Sequence, residues 1–278
     1  MYNQIIHKSK NIGVQLNTTT LKPPHGWVGG KSKLAKQIVK HIPSNHSLYV
    51  EVFGGALNVL YAKEVPAGAK YREVANDFNS DLINLHRCIR TNPLLLQKYL
   101  NELLISRELF TDIKFSKMKP RDFVEKASFY FYKLQMSFGS KGDNFAMSAK
   151  SRKPKNIYKD FAKWSQRLKM VTIENMDFEK LILNYDSTDT FFYCDPPYVG
   201  TESYYKNKKT FDINDHKRLH KVLKNVNGKF LLSYNDCEFV RELYDDFRIV
   251  TSDKFEYTLG KNVHSNKKVV RELFIMNY

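Results

Sequence analysis

The first fifty residues of this 278-residue chain contain no aspartate or glutamate; the first acid is Glu51. Cysteine is nearly as scarce. Cys88, Cys194 and Cys237 are odd in number and far apart, which suits free thiols in a reducing compartment better than disulfides or a zinc site. No apolar run approaches the length of a membrane span, and the opening MYNQIIHKSKN has no apolar signal core, so a cytoplasmic protein away from the membrane is expected. Internal repeats and low-complexity linkers are also missing. That leaves one large folded unit, or a core carrying an insertion.

What the chain has in excess is positive charge. Lys and Arg number 45 against 29 Asp and Glu, a net charge of +16, and such a field attracts polyanions at long range. Beyond the acid-free N-terminus there is a second basic region, Lys141 to Lys169, in which Lys and Arg alternate with Phe145, Tyr158, Phe161 and Trp164. A solvated basic face accounts for one such cluster. Two clusters and a whole-chain excess favour a nucleic acid partner. Hydrophobic residues make up 42% of the chain, as a packed globule requires.

The apolar pattern predicts a helix over Ser32–Ile42, capped by Ser32 and closed before Pro43. Strands are predicted at Ser47–Phe53 and Lys70–Asp77, with a helix between them and another opening on Asn79 or Ser80. From Leu82 to about Leu168 the spacing is helical, most clearly in Pro93–Leu104 and Asp122–Phe138. Strand patterns return in MVTIENMDF, DTFFYCDPPY and KFLLSYND, with a helix over His216–Val226. The last two strands, FRIVTSDKFEYTL and VVRELFIMNY, suit an antiparallel hairpin at the sheet end. Strand and helix alternating in this way predict a mostly parallel α/β sheet interrupted by a helical insertion.

Three stretches carry chemistry. In YVEVFGGALNVL a buried strand runs into Phe53-Gly54-Gly55 and then a helix, where glycines let the backbone approach a ligand. A structural turn explains the glycines alone. Asp77, ending the next strand, adds the acid that holds ribose hydroxyls in nucleotide-binding α/β units. The full dinucleotide fingerprint is missing, because Leu57 stands where another glycine would help. A cofactor with adenosine and no pyrophosphate therefore fits better. In GWVGGKSKLAKQI the glycine spacing is wrong for a phosphate-binding loop, and Lys31 is read as meeting a carboxylate or another anion at a helix start. In FFYCDPPYVG a buried strand is stopped by two prolines, which cannot donate to a sheet ladder. There Asp195 and the Pro196 carbonyl can both accept from the exocyclic amine of a flipped-out base, while Pro196 and Pro197 fix that carbonyl's direction. Tyr198 offers a face for stacking.

These stretches together resemble the Dam-like (D12 class) adenine-specific DNA N6-methyltransferases. The residues that carry the resemblance are Trp27-Val28-Gly29-Gly30-Lys31, Glu51-Val52-Phe53-Gly54-Gly55, Ala75-Asn76-Asp77, Asp177-Phe178, Asp195-Pro196-Pro197-Tyr198 and Arg271-Glu272-Leu273-Phe274. The resemblance implies an α/β, Rossmann-like S-adenosylmethionine-dependent methyltransferase core, here residues 1–81 and 170–278. A helical target-recognition domain, residues 82–169, is inserted after the second strand. The implied reaction moves a methyl group from S-adenosylmethionine to N6 of a flipped-out adenine in a specific double-stranded DNA sequence. No metal is needed, and the enzyme acts as a monomer or weak dimer in a bacterial or phage setting. Position by position, Trp27 and Lys31 line the methionine end of the cofactor. Phe53 and Gly55 form the loop beneath it, Asp77 holds the ribose, and Asp177 and Phe178 meet the adenine. For Asp177, a helix N-cap is the plainer role, and both can hold. Asp195, Pro196, Pro197 and Tyr198 form the target-adenine pocket, with Asp195 also near the methionine ammonium. Lys141, Asn144, Arg152, Lys153 and Lys155 are expected to face DNA, and Tyr205 to close over the site.

The chain departs from the family's pattern at Val52, where proline is frequent, and at Leu57 and Asn58, where glycine or serine is. The hairpin FNVPFGRYK of enzymes that read GATC has no counterpart in GDNFAMSAKSRKPK, so GATC recognition is not expected. The alternatives are methylation of RNA adenine or of cytosine N4 in DNA, or a catalytically dead DNA-binding relative.

Overall fold

The computed structural model describes residues 20–66, 70–146, 156–200, 211–253, 255–256 and 269–278. The chain begins with α1 (Ala35–His41), β1 (Leu48–Glu51), α2 (Asn58–Ala62) and β2 (Arg72–Asn76). Five helices follow before the sheet resumes: α3 (Ser80–Thr91), α4 (Pro93–Asn101), α5 (Arg107–Lys114), α6 (Phe123–Met136) and α7 (Ala162–Leu168). Then come β3 (Val171–Glu174), α8 (Phe178–Tyr185), β4 (Thr190–Cys194), α9 (Ile213–Leu223), β5 (Lys229–Asn235) and α10 (Glu238–Leu243). The last strands are β6 (Arg248–Thr251), β7 (Phe255–Glu256), β8 (Val269–Val270) and β9 (Glu272–Met276).

Seven strands form one sheet in the order β3-β2-β1-β4-β5-β9-β6. The first five are parallel, and β9 runs antiparallel between β5 and β6. This is a Rossmann-like arrangement whose order reverses between β1 and β4, the place where open α/β sheets bind ligands. Every residue of β1 and β4 is buried, because both faces of the sheet are covered. Tyr49, Phe191, Tyr193, Leu231 and Phe274 point to one face, and their neighbours Val50, Phe192, Cys194, Leu232 and Ile275 to the other. The period-two alternation of strand side chains thus feeds two cores. The first core is continuous with the helices between β2 and β3, through Leu85, Phe131, Phe161 and Trp164.

Local chemistry explains most boundaries. Asn79 caps α3 by accepting from the Asp81 and Leu82 N–H groups, and Asp122 caps α6 in the same way. The Ser32 cap predicted for the first helix is not there. The helix starts at Ala35, and the Lys31 carbonyl accepts from the Leu34 and Ala35 N–H groups in a tight turn before it. The strand pattern at the chain's end splits in two on each side: β6 and β9 join the main sheet, while β7 and β8 pair separately.

The aromatics of the second basic region are mostly packed inward. Phe161 and Trp164 are core residues, Phe145 packs on Phe110, and Tyr158 donates to the Leu103 carbonyl. Phe161 and Trp164 thus turn to the core from the start of α7, while the lysine between them stays outside.

Candidate active site

The carboxyl ends of four parallel strands open into one cleft of about 1010 Å³, its mouth included. Strand β1 delivers Glu51 to Gly55, β2 delivers Asn76 and Asp77, β3 leads to Met176, Asp177 and Phe178, and β4 ends on Asp195. The turn before α1 adds Trp27, Gly30 and Lys31. All eight residues expected to hold the cofactor therefore line one cavity, although they span nearly 170 positions of sequence, from Trp27 to Asp195.

At one end, Lys31 Nζ lies 2.7 Å from Asp195 Oδ1 and donates to the Gly29 carbonyl at 2.9 Å. It sits 4.6 Å from the centre of the Tyr198 ring and 4.0 Å from Glu272 Oε2. Lys31 is 5% exposed. Burial alone lowers its pKa, yet the charges of Asp195 and Glu272 outweigh that and raise it. Asp195 also accepts from the Ser233 hydroxyl at 3.0 Å. Burial and the nearby Glu272 charge push its pKa up to about 6, against the pull of Lys31 and Ser233. Tyr198 donates to Glu272 Oε2 at 2.6 Å and stacks on Tyr234. Pro196 is buried, and Pro197 lines the cleft.

In the middle, Asp77 accepts the Gly55 N–H on Oδ2 at 2.9 Å and the Asn79 N–H on Oδ1 at 2.8 Å. Burial raises its pKa, and the two backbone donors oppose that. A carboxylate has about four lone-pair positions, so each oxygen retains capacity for a ligand hydroxyl. Gly55 holds φ +50°, and a Cβ there would stand 2.7 Å from Trp27 Cδ1. This glycine is required by conformation and by space together. Two residues on, Leu57 takes φ 59° and ψ 42°. It therefore adopts the left-handed conformation a glycine would favour while burying its side chain in the core.

The far end is aromatic. Phe53, Phe178 and Phe211 meet with ring centres 5.6 to 5.8 Å apart. Asp177 is the N-cap of α8, its carboxylate accepting the Glu179 N–H. Both its oxygens also accept from Arg218 at 2.9 Å, and the Arg218 guanidinium lies 4.2 Å over the Phe178 ring.

Sequence reasoning had missed Arg218, Asp215 and Phe211 on this wall, and Ser233 and Glu272 at the other end. Arg218 sits in the helical run HKRLHK, which reads as a solvated face. Glu272 was visible as part of Arg271-Glu272-Leu273-Phe274, but nothing in that motif showed where the strand would be inserted. Glu51 is a further buried acid in the cleft. It accepts from the Tyr49 hydroxyl and the Leu60 N–H, and burial raises its pKa to about 8.

Lys141 and Asn144 lie exposed in the loop after α6. A second, broader cleft runs beside that loop, lined by Lys22, Lys36, Gln135, Ser140 and Lys159, and shares Trp27, Gly30 and Asn58 with the first. Arg152, Lys153, Lys155 and Tyr205 lie outside the described residues. Among the described residues, no group of three or more His, Cys, Asp or Glu side chains is placed to hold a metal ion, and no helix is long and apolar enough to cross a membrane.

The cleft lies at the switch point of the parallel sheet, with Asp195 and Pro197 of the Asp-Pro-Pro-Tyr stretch in its lining. Residues 27–257 match the family described as D12 class N6 adenine-specific DNA methyltransferase, and the chain belongs to it. It is an enzyme that methylates adenine in DNA. Among curated proteins it is 30% identical to the type II methyltransferase M1.LlaDCHI of Lactococcus lactis subsp. cremoris, over 95% of this chain and 98% of that one. It is 24% identical to the type II methyltransferase M.CviBI of Paramecium bursaria Chlorella virus NC1A, over 93% and 100%. It is 25% identical to a DNA adenine methylase of Vibrio cholerae, over 87% and 91%.

Proposed function

We propose that the cleft binds S-adenosylmethionine and that the Asp195–Tyr198 rim receives a flipped-out adenine of a specific double-stranded DNA sequence. The observation that carries this reading is the position of Asp195. It stands at the end of β4 against the Lys31 ammonium, which also lies over the Tyr198 ring.

The donor set of the cleft fits the cofactor in order. Lys31 and the carboxylates beside it suit a zwitterionic amino-acid end, Asp77 suits the ribose hydroxyls, and the Phe53–Phe178 slot beside Asp177 suits an adenine ring. When bound, S-adenosylmethionine supplies an electrophilic methyl group. The chain supplies position. Asp195 and the Pro196 carbonyl accept the two amine protons of the target, which draws the nitrogen towards tetrahedral geometry and localises its lone pair. Tyr198, held by Glu272 and Tyr234, offers its ring to the base. The buried walls exclude water, so these acceptors act in a low dielectric.

Residues 82–169 supply the target-recognition segment in this reading. Lys141 and Asn144 face DNA along the second cleft, where Lys22 and Lys36 suit phosphates. The test is transfer of tritium from labelled S-adenosylmethionine to unmethylated DNA, methylated DNA and RNA. Label in N6-methyladenine of DNA supports the reading; label confined to RNA or to cytosine, or none at all, overturns it. Sequencing DNA from an expressing host then reads the target motif.

A further inference from the structure

Glu272 enters the site from β9, the antiparallel strand, where it pairs across from Asn235 of β5. It is 1% exposed. Its backbone is pinned on both sides, the N–H donating to Ser252 Oγ at 2.9 Å and the carbonyl accepting the Ser252 N–H at 2.8 Å. Its Oε2 accepts the Tyr198 hydroxyl at 2.6 Å and lies 4.0 Å from Lys31 Nζ.

Lys31 meanwhile touches both groups that the target base needs. Its ammonium is on Asp195 Oδ1 at 2.7 Å and over the Tyr198 ring at 4.6 Å. On the proposed function, which this inference rests on, Asp195 must offer its acceptor to an adenine amine and Tyr198 must offer the base the ring that Lys31 now covers. A buried ammonium cannot simply be left behind, because an unpaired charge in the interior is costly. Besides a carboxylate of the cofactor, the anion that the protein itself supplies within reach is Glu272, 4.0 Å away.

We propose that Glu272 is a positioning residue for methyl transfer. It anchors the hydroxyl of Tyr198, and it holds the charge of Lys31 when Asp195 engages the target amine. The arrangement is a relay of one cation between two carboxylates. Lys31 is paired mainly with Asp195 before the base arrives and with Glu272 afterwards, while the Tyr198 ring keeps its orientation through the bond to Glu272.

The test is the steady-state kinetics of Glu272→Gln and Glu272→Asp beside the wild type, across pH, with unmethylated DNA. Glu272→Gln keeps an acceptor for Tyr198 and loses the charge. Its kcat is expected to fall about 10- to 100-fold, the scale of a lost charge-assisted bond, with the KM values for DNA and cofactor near those of the wild type. The groups facing Asp195 are Lys31 from the N-terminal turn, Glu51 from β1, Tyr193 and Cys194 of its own strand, Ser233 from β5 and Glu272 from β9. Of these, Glu272 raises the Asp195 pKa, so the acid limb of kcat moves to lower pH in Glu272→Gln. Glu272→Asp retains the charge at a shorter reach and is expected to restore the wild-type limb while kcat stays reduced. A merely structural glutamate would lower the melting midpoint of both variants and leave kcat of the folded enzyme at the wild-type value; the limb by itself reports the charge beside Asp195. A folded Glu272→Gln with wild-type kcat and an unmoved limb overturns the inference. If Glu272→Gln does not fold, Tyr198→Phe removes the same hydrogen bond from the other side, and a wild-type kcat there overturns it as well. A wild type that transfers no methyl to DNA adenine overturns the functional reading instead, before any variant is compared.

Discussion

Arg167 grips Glu73 with both terminal guanidinium nitrogens, at 2.6 and 2.9 Å, and one of them also donates to the Leu60 carbonyl at 2.8 Å. Lys63 reaches the same carboxylate at 2.6 Å. The contact ties α7, the last helix before the sheet resumes, to β2 and to the end of α2. Removing one partner of a buried pair costs about 3–5 kcal/mol, since the other charge stays behind. Lys63 keeps Glu73 paired in Arg167→Met, so that variant is expected to lose less, about 1.5–3 kcal/mol, in urea unfolding. Burial raises the Glu73 pKa, but Arg167 and Lys63 more than reverse this and hold it below its ordinary value of 4.5. A depressed carboxylate stabilises the fold above its unfolded pKa and loses that contribution as pH falls through its folded one. Wild-type stability should thus fall below pH 4.5, and less steeply in the variant.

Asp195 predicts a limb of its own. Its pKa lies at about 6, raised by burial and Glu272. The carboxylate is a much stronger acceptor for the amine than the neutral acid, so kcat should decline as pH drops through about 6, up to tenfold per pH unit in the acid limit. Asp195→Asn should abolish transfer at every pH and leave cofactor binding largely intact. A limb near pH 4 would show that the ionised form is held more tightly than this geometry allows.

Gly55→Ala tests the turn beneath the cofactor. The substitution places a Cβ 2.7 Å from the Trp27 ring on a backbone at φ +50°. Left-handed strain alone costs roughly 1–2 kcal/mol, and the ring must move as well. Cofactor affinity is expected to fall together with the melting midpoint. Trp27 and Trp164 are the two tryptophans of the chain; Trp164 is buried in the helical core. Fluorescence of a Trp164→Phe background therefore reports on Trp27, and its response to S-adenosylhomocysteine should weaken in Gly55→Ala.

Arg218→Ala tests the aromatic end. It removes the guanidinium from the face of Phe178 and both bonds to Asp177. Affinity for S-adenosylhomocysteine should drop about tenfold by calorimetry, about 1.4 kcal/mol, with kcat at saturating cofactor close to the wild type. Loss of kcat at saturation would place Arg218 in the chemistry rather than in the wall.

The parallel core was legible because its strands are short apolar runs ended by strong signals: Asp77, Asp195 and the double proline. Local rules sufficed for Asn79 and Asp122, whose caps open α3 and α6. They failed where a boundary depends on tertiary contact. Ser32 has the right chemistry for a cap, but the chain turns sharply through Lys31 to bring its ammonium onto Asp195, and the helix starts later. Phe161 and Trp164 stand among lysines in the sequence but are buried in the core, because sequence shows neighbours, not faces. Leu57 marked the right place for a left-handed residue and the wrong residue type. Its side chain fills the core under β1, and that burial offsets the backbone strain. Glu272 and Arg218 were out of reach for the same reason. Each meets the site through a strand or helix whose register is set by packing.

The position of β9 has a consequence for how the protein is made. Trp27 and Lys31 come from the chain's first described turn, while Glu272 comes from a strand synthesised some 240 residues later and slotted between β5 and β6. A growing chain can complete the cofactor wall early. Tyr198 finds its anchor only when residues 272–276 are out and paired. Until then, β5 presents an open edge with Leu231, Leu232 and Tyr234 uncovered, a surface open to adventitious strand pairing. Catalytic competence and protection from aggregation therefore arrive together, in the last step of assembling the sheet.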